Sequence, residues 1–177
     1  MGDGHRLTPF PEEVSLVRMK VFTTGGSLDK GYSTRESAFV VLEPSVGEVL
    51  GWAGVNFDYE IEALFQKDSL EITDEDRELI VSRVAQDDCR HILITHGTDT
   101  MAETGRRLMT IRGKTIVLTG AMQPAAFKDS DGPFNIGFAT AALQVLPPGV
   151  YLAMNGQIFD PAAARKNLDL DRFEAHG

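Results

Sequence analysis

The sequence predicts an α/β fold of three layers, in which helices flank both faces of a mostly parallel sheet. Short apolar runs of strand length alternate with segments of helical periodicity along the 177 residues, and this alternation is typical of parallel crossovers. Glycine-containing turns follow two of the apolar runs, at Thr24–Ser27 and at His96–Gly97. A chain of this length can build one good-sized hydrophobic core.

The first part of the chain predicts two strands separated by a loop and a short helix. Residues 1–15 contain early glycines and prolines without a continuous apolar run, so we expect an irregular lead-in rather than a signal peptide. Leu16 to Thr23 is the first predicted strand. The polar stretch from Leu28 to Val41 predicts a long loop or a loose hairpin, and such loops are often functional lids. A short helix is expected from Pro44 to Leu50, and the alternation from Val55 to Phe65 predicts a strand buried on one side.

The second part repeats strands and helices in closer succession. Thr73 followed by Asp76 is typical of a capping box, and it predicts an amphipathic helix that extends to Gln86. The next predicted elements are a strand at His91–Thr95, a helix at Ala102–Ile111, a strand at Lys114–Thr119, a helix at Phe134–Leu146 and a strand at Val150–Met154. A short strand and an irregular or helical tail are expected after Met154. We therefore expect residues 16–177 to form a single domain.

Charge and composition exclude several classes of partner. The 26 acidic and 17 basic side chains give a formal net charge of -9, which repels nucleic acid and anionic membranes. No window approaches the roughly 20 apolar residues that a membrane span needs. The one cysteine, Cys89, cannot form an internal disulfide and is compatible with a reducing cytoplasm. The four histidines show no metal-ligand spacing; they are His5, His91, His96 and His176.

The stretch from His91 to Gly105 combines an apolar run with a turn that carries hydroxyl and carboxylate groups. Thr98, Asp99 and Thr100 follow the predicted strand directly, and a helix-compatible segment comes next. In a parallel sheet such a turn lies at the carboxyl end of a strand and at a helix N-terminus, where ligands bind. One of these side chains could equally cap the helix, with Glu103 in its first turns. Both interpretations stay open on local grounds.

Three strings together are similar to one known family. They are TGGS at Thr24–Ser27, HGTDTMAET at His96–Thr104 and DGPFN at Asp131–Asn135, and TGAMQP at Thr119–Pro124 adds a fourth. The chain resembles the asparaginase family, the bacterial-type amidohydrolases that convert L-asparagine to L-aspartate and ammonia. The resemblance extends from about Val17 to Lys166 and corresponds to that family's larger N-terminal domain, which implies a flavodoxin-like fold. The family's smaller C-terminal domain is expected to be absent.

The resemblance implies a catalytic group of hydroxyl, carboxylate and amine side chains. The family's nucleophile corresponds to Ser27, where threonine is usual; serine can make the same attack but lacks the methyl group that restricts its rotamers. The second hydroxyl corresponds to Thr98, as proton relay or alternative nucleophile. The neighbouring carboxylate, Asp99, is expected to receive the substrate's α-ammonium. The amine corresponds to Lys166, because a guanidinium such as Arg165 does not deprotonate near neutrality.

The remaining site assignments concern substrate binding and a mobile tyrosine. Ser69, next to Asp68, matches the serine that holds the α-carboxylate, although helix-entry chemistry also explains this pair. Backbone amides at the turns of Gly26 and Gly97 are expected to donate to the carboxylate and the oxyanion. Ala121 is assigned to substrate binding. The family's mobile tyrosine, a catalytic residue, corresponds to Tyr32 or, by spacing, to Phe39.

The implied reaction is amide hydrolysis through an acyl-enzyme, with no cofactor and no metal. The expected partners are a small ω-amide and further copies of the chain, as a homo-oligomer (dimer or tetramer) in the cytoplasm, but neither nucleic acid nor a membrane. One alternative is a non-catalytic module that binds an amino acid or has a regulatory role. Another is a hydrolase of a related amide such as glutamine, since one methylene changes binding by only about 1 to 3 kcal/mol.

Other polar and aromatic residues receive structural interpretations. His91 and His96 are expected at strand or turn positions with hydrogen-bonded rings. Asp131 and Asn135 are expected to brace their loop and to cap the helix that follows. Trp52 is expected in the core or at an interface.

Overall fold

A six-stranded sheet is the centre of the fold in the computed structural model, which describes residues 18–35 and 37–175. In chain order the elements are β1 (Met19–Gly25), β2 (Lys30–Ser33), β3 (Ala38–Val41), α1 (Val46–Trp52), β4 (Tyr59–Lys67), α2 (Asp74–Gln86), β5 (His91–Thr95), α3 (Met101–Leu108), β6 (Thr115–Thr119), α4 (Gly132–Val145), β7 (Gly149–Met154), β8 (Gln157–Phe159), β9 (Ala164–Asn167) and β10 (Arg172–Ala175). The predicted lead-in at residues 1–15 and the first two residues of the predicted first strand lie outside the described residues.

The strand order confirms the predicted fold class. The sheet has the order β4-β1-β5-β6-β7-β8, in which β8 alone is antiparallel to its neighbour. Numbered along the chain, the five parallel strands therefore follow the flavodoxin-like order 2-1-3-4-5. The order reverses between β1 and β5, and open α/β sheets bind ligands in the crevice at that point.

Helices cover both faces of the sheet and produce two cores. Strand residues alternate between the faces, so Ile92 and Ile94 pack on one side while Leu93 packs on the other. The first core includes buried residues of α2, α3 and the final hairpin: Ile80, Val84, Met101, Leu108 and Phe173. The second includes residues of α1 and α4: Val46, Val49, Leu50, Ile136, Ala139 and Leu143. The chain thus has the three layers that the sequence predicts.

Most predicted elements are present, with shifts at their ends. Thr73 accepts a hydrogen bond from the Asp76 amide and the Asp76 carboxylate accepts one from Thr73, which confirms the capping box at α2. The stretch from Leu28 to Val41 contains the antiparallel pair β2 and β3, so the hairpin alternative is correct. The strand predicted from Val55 begins at Tyr59, because Tyr59 is the first residue that pairs with β1.

The tail after Met154 is not helical. Residues 161–163 form only a turn, and the amides of Ala163 and of Ala164, the first residue of β9, both donate to the Asp160 carbonyl. The chain then forms the β9–β10 hairpin. Phe173 of this hairpin is buried and packs 6.1 Å from Phe159 between ring centroids. This long-range burial overrides the helical propensity of the alanines.

Two further observations concern exposed surface and membrane association. Trp52 is 75% exposed, so the prediction that it lies in the core is wrong, while an interface role stays a prediction. Within residues 18–35 and 37–175, no helix is both long and apolar enough to cross a membrane.

Candidate functional site

Two glycine turns pack against each other where the strand order reverses. A Cβ atom on Gly26 would lie 2.4 Å from the backbone Cα and N of Gly97. A Cβ atom on Gly97 would lie 2.6 Å from the Cβ of Ser69. The turns after β1, β4 and β5 can therefore meet only because two of the contact residues lack side chains. This contact places Ser27 and Thr98, which follow the two glycines, on neighbouring turns.

Lys166 connects two of the predicted site residues directly. Its Nζ lies 2.8 Å from Thr98 Oγ1 and 2.8 Å from Asp99 Oδ1. Thr98 is only 2% exposed, so this hydroxyl has little competition from solvent. The other Asp99 oxygen, Oδ2, accepts a hydrogen bond of 3.4 Å from Ser69 Oγ. Four residues predicted from the sequence thus form one connected polar group.

The helix-cap interpretation of the Thr98–Thr100 turn is not supported. Thr100 occupies the N-cap position of α3, but its side chain makes no capping hydrogen bond. Its Oγ1 donates instead to the Ser69 carbonyl oxygen at 2.8 Å. The turn therefore directs its hydroxyl and carboxylate groups to Ser69 and Lys166 rather than to the helix amides.

His96 has a neutral ring that is hydrogen-bonded to the same turn and to α3. Its Nδ1 lies 2.8 Å from the Gly97 carbonyl and its Nε2 lies 2.8 Å from Thr104 Oγ1. A carbonyl can only accept, so this pattern assigns the proton to Nδ1. Complete burial lowers the pKa of His96 to about 4. The predicted structural role of His96 is confirmed.

Asp68 holds the loop that carries Ser69. Its Oδ1 accepts the Leu70 amide at 3.0 Å, and its own amide donates to Glu71 Oε2 at 3.2 Å. Its Oδ2 accepts a hydrogen bond from Lys30 Nζ, and this bond holds the pKa of Asp68 below its usual range. The predicted helix-entry chemistry is present, and Ser69 itself is buried. Lys30 is a member of this arrangement that the sequence interpretation missed.

Tyr32 lies on β2, directly opposite Phe39 on β3. The two candidates for the mobile tyrosine position are therefore cross-strand neighbours at the same level of one hairpin. Tyr32 is 57% exposed. Its catalytic role stays a prediction.

A cavity of about 590 Å³ opens beside Lys166. It is lined by Thr98, Asp99 and Lys166 together with Leu70, Thr100, Ala102, Glu103, Arg106, Ala164, Arg165, Leu168 and Phe173. This volume lies within the range of small-molecule sites. Ser27, Ser69 and Ala121 are not among the lining residues, and Ala121 is fully buried in the core beside α4. Among the described residues, no group of three or more acidic, histidine or cysteine side chains is placed to hold a metal ion.

Asp131 and Asn135 brace the loop after β6, as predicted. The Asp131 carboxylate accepts the amides of Met122 and Gln123 at 3.0 Å. The Asn135 amide nitrogen donates to Asp131 Oδ2 at 2.8 Å and to the Gly120 carbonyl at 3.0 Å. Asp131 occupies the N-cap position of α4 but makes no side-chain capping bond, so the capping part of that prediction is wrong.

Asp29, two residues after Ser27, is a buried carboxylate with an incomplete set of partners. Its Oδ1 accepts the Ser45 amide at 2.8 Å, whereas its Oδ2 is buried and has no hydrogen-bond partner. Burial raises the pKa of Asp29 to about 6. A raised acid pKa stabilises the folded state fully below the unfolded value near 4, and this contribution is lost as the pH rises through 6.

We therefore expect Asp29→Asn to raise the free energy of unfolding by about 1 to 2 kcal/mol at pH 8, because the variant buries no charge. The difference from the wild type should shrink at pH 5, where the native carboxyl is already mostly protonated. Urea unfolding at both pH values measures it. Asp88→Asn changes an exposed carboxylate and is the control. A destabilisation by Asp29→Asn that is equal at both pH values would contradict the expectation.

Comparisons with known proteins match the described chain to one family. Residues 18–175 match the family described as asparaginase, N-terminal. L-asparaginase 2-3 of Saccharomyces cerevisiae is 32% identical, over 89% of this chain and 48% of that protein. The glutaminase-asparaginase of Acinetobacter glutaminasificans is 29% identical, over 75% of this chain and 41% of that protein. The thermostable L-asparaginase of Thermococcus kodakarensis superposes with a TM-score of 0.77 at 29% identity, over 90% of this chain and 51% of that one.

The chain spans about half the length of these relatives. The range that matches the family, residues 18–175, contains every predicted site residue from Gly26 to Lys166. It also contains the glycine turns and the polar group that the structure assembles where the strand order reverses. The chain belongs to the asparaginase family.

Proposed function

We propose that this protein is an amidohydrolase that converts L-asparagine to L-aspartate and ammonia. The observation that carries the proposal is the placement of Lys166 Nζ at 2.8 Å from both Thr98 Oγ1 and Asp99 Oδ1, at the wall of a cavity. An amide is a poor electrophile, so its hydrolysis needs an activated hydroxyl and a path for protons. An amine in contact with both a hydroxyl and a carboxylate supplies such a path.

The reaction proceeds in two steps. Ser27 Oγ forms a bond to the carboxamide carbon, and the proton that it loses passes through Thr98 and Lys166 to the nitrogen that leaves as ammonia. Water then attacks the resulting ester, which releases L-aspartate and restores the Ser27 hydroxyl. The Gly26 amide already donates to the Lys67 carbonyl at 2.9 Å, so the Ser27 amide and the amides of the Gly97 turn stabilise the oxyanion in both steps. Thr98, already in contact with Lys166, is the alternative nucleophile.

Substrate recognition divides between two residues of the polar group. Ser69 and nearby backbone amides bind the α-carboxylate. Asp99 binds the α-ammonium while it also accepts the Lys166 hydrogen bond, since a carboxylate offers about four acceptor positions. Its side chain is 33% exposed, which leaves one side accessible to a ligand.

Glutamine hydrolysis and non-catalytic binding are the competing functions. Glutamine has one more methylene between the amide and the α-carbon, and the similarity to a glutaminase-asparaginase supports a test with both amides. A binding module would retain Ser69 and Asp99 without any use for the contact between Thr98 and Lys166. That contact is the reason for the preference for an enzyme.

Ammonia release from L-asparagine and L-glutamine by the purified protein tests the proposal. We expect release from L-asparagine, and a loss of at least about 100-fold in kcat in Ser27→Ala and in Thr98→Ala. Absence of release by the wild type at millimolar substrate, with L-aspartate binding still detectable by calorimetry, would instead establish the binding module. Full activity in Ser27→Ala alone would assign the attack to Thr98.

The proposal includes a homo-oligomer and a cytoplasmic location. The 14 residues of α4 contain no ionisable side chain, and Phe134 and Val145 on its outer face are 62% and 79% exposed. A protein with net charge -9 can associate with its own copy only where like charges do not meet. Sedimentation equilibrium should therefore detect a dimer or tetramer, and a monomer at all concentrations would contradict this part.

The lone buried Cys89 supports a reducing compartment.

A further inference from the structure

We infer that Lys30 is a positioning residue that holds the Asp68–Ser69 loop and thereby sets the affinity for the substrate's α-carboxylate. The inference rests on the proposed function, in which Ser69 binds that carboxylate. Lys30 belongs to a different part of the chain from Ser69, at the start of β2 and three residues after Ser27. It therefore couples the nucleophile segment to the substrate-binding segment.

The two oxygens of Asp68 have separate partners in the two segments. Oδ1 accepts the Leu70 amide at 3.0 Å, within its own loop, whereas Oδ2 accepts the hydrogen bond from Lys30 Nζ on the hairpin. The side chains of Lys30 and Asp68 are 31% and 29% exposed, so their ion pair is partly shielded from water. Removal of Lys30 would leave half of the Asp68 carboxylate without its partner and release the loop from the hairpin.

Backbone geometry makes Ser69 sensitive to this attachment. The Gly26 amide donates to the Lys67 carbonyl at 2.9 Å, and Ser69 packs against the Gly97 turn. Asp68, which lies between these two contacts, also interacts with the positive charge of Lys166. Without Lys30, the Asp68 carboxylate keeps only its hydrogen bond from the Leu70 amide within its own loop, and its attraction to Lys166 is no longer balanced by a cation on the hairpin. The Ser69 loop would then shift relative to the site.

An ordinary surface ion pair would behave differently. Exposed Lys–Asp pairs contribute little to stability, and we expect no selective effect of such a pair on one kinetic constant. A positioning role acts on ground-state binding, so it changes KM while kcat stays almost unchanged. The pair formed by Lys67 Nζ and Asp76 Oδ2 at 2.6 Å is a matched control. It lies at the same edge of the sheet, is also partly buried and does not include Asp68.

The test compares Lys30→Met, Lys30→Arg and Lys67→Met in steady-state hydrolysis of L-asparagine. We expect Lys30→Met to raise KM about 10-fold with kcat within 3-fold of the wild type, and Lys30→Arg to recover most of the loss because it can donate to the same oxygen. Lys67→Met should leave both constants within 2-fold. An unchanged KM in Lys30→Met, or an equal rise in Lys67→Met, would overturn the inference.

Binding of L-aspartate, measured by calorimetry, separates this inference from the proposed function. If the wild type releases no ammonia, the proposed hydrolysis fails, but the dissociation constant of L-aspartate still reports the α-carboxylate site. A dissociation constant that is roughly 10-fold higher in Lys30→Met than in Lys67→Met supports the positioning role in either case. Equal affinities in the two variants overturn it.

Discussion

Replacement of Lys166 by methionine is expected to lower kcat for L-asparagine hydrolysis about 1000-fold, which corresponds to about 4 kcal/mol of transition-state stabilisation. The variant keeps the length of the side chain but removes the amine that contacts both Thr98 Oγ1 and Asp99 Oδ1 at 2.8 Å. Thr98 then loses its proton partner, and Asp99 loses the cation that balances its charge. Ammonia release under saturating substrate measures the change.

The control is Lys128→Met, which makes the same chemical change at an exposed position of the loop after β6 and shifts the net charge equally. Activity within 2-fold of the wild type is expected for it. Circular dichroism and thermal unfolding should show that Lys166→Met is folded. A folded Lys166→Met with kcat within 5-fold of the wild type would mean that the contact with Thr98 has no part in the chemistry.

The parts of the fold with local signals could be predicted from the sequence. The capping box at Thr73 involves residues three positions apart, and the strand at His91–Thr95 is a short apolar run that the structure reproduces with the same bounds. Both depend on interactions within a few residues, so both can be recognised from the composition and spacing of the sequence. The expectation of an irregular or helical tail after Met154 is wrong, because the β9–β10 hairpin depends on the burial of Phe173 against Phe159, a contact between separate elements.

The site residues also differ in whether local sequence could predict them. Thr98 and Asp99 are adjacent in the chain, and their position after a strand predicts either a ligand-binding turn or a helix cap. Lys166 lies 68 residues from Thr98 and could be assigned only through the resemblance to a family. Lys30 and Asp68 are 38 residues apart, and two common charged residues at that separation leave no pattern in a single sequence. Their pairing follows from the way that β1 and β4 place their carboxyl ends side by side.

Substitution of Gly26 by alanine is expected to lower the free energy of unfolding by at least about 3 kcal/mol, for two reasons that add. Gly26 has φ of 85° and ψ of -171°, a conformation that is essentially restricted to glycine and costs other residues about 1 to 3 kcal/mol. The new Cβ atom would also lie 2.4 Å from the Gly97 backbone, which cannot rotate away as a side chain could. The two turns must therefore separate.

The same separation should affect catalysis, because it moves Ser27 away from Thr98. A displacement of about 1 Å between reacting groups can lower the rate about 100-fold, so any folded Gly26→Ala protein should have lost at least that much activity. Gly51→Ala is the control, since a Cβ atom at Gly51 in α1 would meet nothing within 4 Å and alanine favours the helix by about 1 kcal/mol. Urea unfolding of both variants tests the expectation, with the yield of soluble protein as a second measure if Gly26→Ala does not fold. A Gly26→Ala protein as stable and active as Gly51→Ala would show that the two turns do not need to touch, and that the site is not built on this contact.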